Sequence, residues 1–314
     1  MHTFLKQFLL LVMIILLRPD RCFAVSGGFS ISPPFVSVTL LPAENSHSEI
    51  LTVANHNTFS QTFQLSVVDF GSLNDSGGVQ FLGVNGQEMQ KYKYSLASWL
   101  QLEKDRLEVA AGSEEKVKVT VLNKDSLTSG GHYGAVLFSQ VSDVKPGSVV
   151  NVNQAYASLF FVDKQGGAEI KQLDLRKIEH DAAWFRLPST VLLRFQNSGN
   201  VHLVPRGTVT VVDVLGRVVG KGLINSDSAI ILPESFRVYR TQLYPLSRLF
   251  FPGNYTINVN YRYDGVADTT LVKDHYFSAG APLFWLLLAF IIGLFGSTIY
   301  ISKKFIKKNP KLPN

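Results

Sequence analysis

The 314-residue chain has one cysteine, Cys22, with three methionines and three tryptophans. A single thiol excludes an internal disulfide, and it excludes the thiolate clusters that hold structural zinc. Charge is also sparse. Asp, Glu, Lys and Arg make up 17% of the residues against 46% hydrophobic ones, which excludes a disordered, self-repelling chain. The GxSxG elbow, the HExxH helix, the P-loop and the GxGxxG fingerprint are all missing. The histidines after His2 stand singly, with no pair at ligand spacing. Neither a metal, a cofactor nor an enzymatic activity is expected.

What charge there is sits at the ends. Lys6, Arg18 and Arg21 against Asp20 give residues 1–24 a net +2, and Lys303, Lys304, Lys307, Lys308 and Lys311 give the tail +5. Taking both from the total of +6 leaves residues 25–302 at −1. A nucleic-acid partner is thereby disfavoured.

Met1–Ala24 reads as a secretory signal: a short polar start, then an apolar run of ten at Phe8–Leu17, then small residues around a cut after Ala24. An uncleaved anchor is the alternative, because Arg18-Pro19-Asp20-Arg21 makes an unusual approach to the cut. Cleavage would leave a mature chain free of cysteine. A secreted β-rich protein without disulfides leans towards a bacterial surface. Ala281–Ile301 is an uncharged run of 21 residues, roughly 31 Å as a helix, with Trp285 and Tyr300 near its ends. The lysines behind it place the 302–314 tail in the cytoplasm, so residues 25–280 are expected outside a single membrane span.

Between the two addresses the pattern is that of strands. Val117, Val119 and Val121 alternate with Lys116, Lys118 and Thr120, and Phe63, Leu65 and Val67 with Thr62, Gln64 and Ser66. Tyr255, Ile257, Val259, Tyr261 and Tyr263 define one face of a longer strand. Turn chemistry separates the runs, at Asp75-Ser76-Gly77-Gly78, Asn85-Gly86, Ser129-Gly130-Gly131, Ser198-Gly199-Asn200 and Pro252-Gly253-Asn254. The fold class expected is mainly β: two tandem Ig-like β-sandwich domains followed by one C-terminal transmembrane helix. A closed barrel is the alternative. The boundary is placed at Asp163–Gly167, giving a first sandwich at 25–165 and a second at 166–280.

Candidate chemistry is thin. Asn74-Asp75-Ser76-Gly77-Gly78 looks like a serine-protease nucleophile loop, but His47 and His56 lie too close upstream and in the wrong context, so it reads as a Gly-rich turn. Leu187-Pro188-Ser189-Thr190 echoes a sortase signal, but Val191 stands where glycine is required. Glu114-Glu115 reads as a solvated strand start, and Trp99 and Trp184 read as core aromatics. His132 and Tyr133, after a Gly-Gly turn, are the candidates for exposed binding residues, against the plainer alternative of a locally packed strand start.

The order of short motifs resembles the WxL-interacting proteins of Gram-positive-type surfaces. It runs from Ser32–Leu41 (SPPFVSVTLL) and Ile50–Asn55 (ILTVAN) through Ala97–Leu102 (ASWLQL), Val109–Val121 (VAAGSEEKVKVTV) and Gly130–Phe138 (GGHYGAVLF). It continues with Phe195–Gly207 (FQNSGNVHLVPRG), Ile231–Tyr239 (ILPESFRVY) and Phe251–Tyr255 (FPGNY). The resemblance implies a first Ig-like domain that binds peptidoglycan and a second that binds WxL-type secreted proteins or host matrix. The function expected is a membrane-anchored, non-enzymatic surface scaffold. The alternative is a membrane-tethered, chaperone-like assembly factor for secreted surface proteins, working by strand addition at sheet edges.

Overall fold

The computed structural model describes residues 28–82, 92–141, 155–264 and 266–308. The signal at 1–24, the Asn85-Gly86 turn and the last six residues of the tail lie outside the described residues.

The first sandwich is built from β1 (Phe29–Ser32), β2 (Phe35–Leu40), β3 (Ser46–Asn55), β4 (Gln61–Ser72), β5 (Val79–Leu82), β6 (Leu100–Leu102), β7 (Arg106–Val109), β8 (Glu114–Leu122), β9 (Gly130–Gln140) and β10 (Ala155–Lys164). One sheet has the order β1-β3-β8-β6. The other has the order β2-β10-β9-β4-β5, with β7 also on β4. Proline has no N–H for a ladder, so Pro33-Pro34 ends β1, and the chain crosses to the second sheet as β2. There β2 runs parallel to β10, whereas the other pairings in this sandwich are antiparallel.

The alternation of the sequence carries the core. Val36, Val38 and Leu40 point inward from β2, and Val117, Val119 and Val121 do so from β8. Each such side chain contributes roughly 1.5–3 kcal/mol by leaving water. β9 departs from the pattern: nine consecutive residues, Gly130–Phe138, are buried. A strand buried at every position has both faces covered. Val136 and Phe138 belong to the sandwich core, while Tyr133, Ala135 and Leu137 belong to a second apolar cluster on the outer face, with Phe70, Tyr94, Phe161 and Leu232. Leu232 comes from the second sandwich, so the outer face is a seam between the two units.

The second sandwich holds β11 (Leu173–His180), β12 (Thr190–Asn197), β13 (Arg206–Val212), β14 (Val218–Ile224), β15 (Ser235–Gln242), β16 (Tyr244–Pro245), β17 (Gly253–Arg262) and β18 (Thr270–Ser278). Its sheets have the orders β11-β12-β15 and β16-β14-β13-β17-β18. Tyr255, Ile257, Val259 and Tyr261 of β17 face the core, with Phe195 of β12 4.9 Å from the Tyr261 ring. The chain is thus mainly β, two Ig-like sandwiches in tandem. It ends in one apolar helix, α1 (Pro282–Lys308), whose 282–304 stretch has a mean hydropathy of 2.2 and is long and apolar enough to cross a membrane.

The two sandwiches share a device at one strand end. Asn55, closing β3, donates from Nδ2 to the carbonyls of Phe59, Val109 and Ala110 and accepts from the Asn57 N–H. Asn197, closing β12, donates to the carbonyls of Val201 and Ile231 and accepts from the Gly199 N–H. Both side chains are buried, and each ties loop backbone that would otherwise lack a partner. Asn55→Ala and Asn197→Ala should each cost roughly 2–3 kcal/mol in urea unfolding, because carbonyls are left unpaired in the core. Lys177→Ala, which removes an exposed ion pair with Glu179, should change stability by no more than about 0.5 kcal/mol.

Candidate functional site

A cleft of about 310 Å³ opens between the sandwiches. One wall is the outer face of the β2-β10-β9-β4-β5 sheet, with Phe35, Phe70 and Phe161. The other is the segment from Asp227 to Arg237, with Ile230, Leu232 and Phe236. Phe35 is 60% exposed, because it shares a face of β2 with Ser37 and Thr39 while Val36 and Val38 fill the core. It is an apolar residue on a polar face beside a cavity.

Three polar contacts hold the walls at their spacing. Arg194 on β12 donates from Nε to Asp75 Oδ2 at 2.6 Å and lies over the Phe236 ring at 3.8 Å. Asp75 also accepts, through its backbone carbonyl, the Val238 N–H on β15 at 2.7 Å. Lys93 pairs with Glu234 at 2.7 Å. That hydrogen bond pulls the Glu234 carboxyl below its ordinary value and raises Lys93. Gly77, at φ +82°, a backbone conformation that favours glycine, lets the loop pass against the Arg237 guanidinium, which an added Cβ would have to displace. The Asn74–Gly78 turn is therefore a clasp between sandwiches. Ser76 Oγ, within it, donates to Asn74 Oδ1.

His132 and Tyr133 are not the exposed contact residues expected; both are buried. The His132 ring nitrogens lie 2.9 Å from the carbonyls of Ser95 and Thr128, and burial lowers its pKa. Tyr133 lies under the seam, its hydroxyl 3.3 Å from His202 Nδ1, and burial raises it well above the usual phenol value. The reasons differ: His132 packs within its own sandwich, against Trp99, whereas the second unit docks on Tyr133 and the Gly-Gly turn, where the Asn200 carbonyl accepts the Gly131 N–H at 2.8 Å. Trp184 is a second correction. Expected in a core, it is 70% exposed. Trp99 is partly buried and packs against the first core.

His202 sits against Tyr133 and Phe161, with ring centroids 5.8 and 5.6 Å away. Burial holds it down at about 4; Asp264 pulls it up and Lys171 pushes it down. The cleft thus offers aromatic surface, one guanidinium and short sheet edges. Such a site suits an extended apolar polypeptide. β2 covers β10 from Leu159 onward, and just ahead of it the Ser158 hydroxyl donates to the Pro33 carbonyl at 2.8 Å. Sequence reasoning missed Phe35, Phe236, Arg237 and Asp75. For Phe35 the signal was present, an aromatic out of phase with the valines of its own strand.

No protein-family model matches the sequence, and no curated protein does. Solved structures similar to this chain include fimbrial chaperones. The class 5 fimbriae chaperone CfaA is 12% identical at a TM-score of 0.39, covering 79% of this chain and 99% of its own. The E. coli chaperone DraB is 14% identical at 0.35, covering 78% and 98%. The CsuC-CsuE chaperone–tip adhesion subunit pre-assembly complex of Acinetobacter baumannii gives a match at 12% and 0.37, covering 78% and 97%.

Because folded His202 titrates near 4 and an unfolded histidine near 6.5, the unfolded chain takes up this proton first on acidification. Stability should therefore hold above about pH 6.5 and fall towards about pH 4, by at most roughly 3 kcal/mol from this residue. Urea unfolding of the parent chain and His202→Phe across that window checks the assignment: the substitution should flatten the slope.

Proposed function

We propose that the chain is a membrane-anchored, non-enzymatic binding protein, held by α1 with its sandwiches outside the cell and its lysine-rich end in the cytoplasm. The observation that carries the binding role is the cleft, an apolar groove with Phe35 exposed at its lip and the Arg237 guanidinium in its lining. Burying apolar side chains of a partner segment supplies affinity, at about 25 cal/mol per Å². The guanidinium favours a carbonyl or carboxylate. Partners of this chemistry are extended segments of other surface proteins. The motif order that resembles WxL-interacting proteins supports peptidoglycan and WxL-type secreted proteins as the particular ligands.

A second reading has its own observation. β2, which carries Phe35 at the cleft's lip, is the end strand of its sheet in the order β2-β10-β9-β4-β5, an edge able to accept a partner's strand, which favours a tethered assembly factor for secreted subunits. Holding a partner and helping it to assemble use the same groove and differ in the partner's fate.

The detergent-solubilised full chain, incubated with insoluble peptidoglycan and with the secreted proteins of its own cell, should co-sediment with one and retain members of the other. Phe35→Asp should weaken capture of the secreted proteins about tenfold while leaving the unfolding midpoint near its parent value, since Phe35 faces solvent. Capture unchanged by Phe35→Asp would remove the cleft from the interaction. Deleting the gene separates the two readings: an assembly factor's loss depletes other proteins from the surface, and an adhesion scaffold's loss does not.

A further inference from the structure

The end of the second sandwich next to α1 differs from the opposite end. The loops at residues 181–189, 213–217 and 243–252 all lie there, and each presents large apolar side chains to solvent: Trp184 at 70% exposed with Phe185 beside it, Leu215 at 63% with Val214, and Leu246. In the loops of the opposite end, at 165–172, 198–205, 225–234 and 263–269, Ile170 is the one exposed large apolar side chain among the described residues.

The three loops are tied to the chain entering the helix, or to one another. The Trp184 carbonyl accepts the Ala279 N–H at 2.7 Å and the Ser278 hydroxyl at 3.2 Å. The Phe250 carbonyl accepts the Ala281 N–H at 2.9 Å, and the Phe251 ring meets Phe284 edge-on at 5.6 Å. Arg217, fixed to Asp213 by two hydrogen bonds of 2.8 and 2.7 Å, reaches over the same Phe251 ring at 5.0 Å. Trp285 Nε1 donates to the Ala279 carbonyl at 2.8 Å. No free linker separates sandwich from helix.

We propose that this end of the second sandwich is seated in a lipid bilayer surface, with Trp184, Phe185 and Leu215 inserted among the headgroups at the depth of the first turn of α1. The inference rests on the proposed anchoring by α1 and adds that the sandwich itself touches lipid. The apolar run of the helix starts at Pro282, only three residues beyond Ala279, so the Trp184 backbone, tied to Ala279, is close to the depth where the helix enters hydrocarbon. Tryptophan at that depth keeps its ring in the apolar boundary and its N–H wet. Exposed Arg248 and the partly paired Arg186 and Arg217 supply cations for lipid phosphates. A collar of this kind lies about 5–10 Å into the interface.

The test uses the intact chain reconstituted in vesicles of phosphatidylcholine and phosphatidylglycerol, part of the phosphatidylcholine brominated high on its acyl chains. The fluorescence difference between parent and Trp184→Phe isolates Trp184, an exposed residue whose replacement leaves the cores intact. Roughly twofold quenching of that difference signal by bromolipid, with weak quenching by aqueous acrylamide, is the expected result. A chain that floats with the vesicles after an alkaline wash but whose Trp184 signal ignores bromolipid overturns the inference and spares the anchor. If acrylamide fails to quench as well, a protein surface covers the collar and the inference is equally overturned. A chain that does not float at all refutes the anchor itself, and the inference with it.

Discussion

The first sandwich cannot satisfy its own sheet. One face of β9 and β10 lies on the core with Val136, Phe138, Phe160 and Val162, and the other carries Tyr133, Ala135, Leu137 and Phe161. A sheet that is apolar on both sides must be covered on both sides or expose a sticky patch. Tyr92 and Tyr94 cover part of it, and Ile230 and Leu232 from the second unit cover more. The uncovered remainder is the cleft. The order of the two units, the clasp at Asp75 and Gly77, and the groove with Phe35 at its mouth all follow from that one excess of apolar surface.

The clasp shows how modest polar contacts set geometry once burial has set affinity. The Asp75–Arg194 pair is partly exposed, and Lys93–Glu234 more so, which limits each to about 1 kcal/mol. Their value lies in direction. Asp75 addresses the Arg194 side chain and the β15 backbone from one turn, and the Gly77 backbone passes close against the Arg237 guanidinium. His202 adds a condition on solvent acidity. It fits the seam as a neutral ring between Tyr133 and Phe161, so charging it works against the contact that buries it.

Much of the fold was legible because alternation reports a half-buried strand directly. β17 and β8 are read from their residues alone, and the tandem Ig-like sandwiches follow from strands of that kind with turn residues between them. Alternation is silent about a second buried face. In Gly130–Phe138 the glycines, His132 and Tyr133 suggested a turn opening to solvent, but Asn200 and His202, about seventy residues on, cover the glycines and Tyr133, and Trp99 packs on His132. Trp184 erred the other way. A lone tryptophan is read as core because most are, and nothing local reveals that its carbonyl, rather than its ring, is the group held in place. The cleft residues are split between distant segments, so no single motif could announce them.

The fastening of the second sandwich to α1 also has a mechanical meaning. A receptor on a floppy stalk lets its head swing and spares its anchor, so a tug on the head is spent in straightening chain. Here the carbonyls of Trp184 and Phe250 grip the backbone at Ala279 and Ala281, and the clasp ties the two sandwiches to each other. With the helix anchored as proposed, the molecule would act as a lever, and load caught at its far tip would arrive at the lipid as torque.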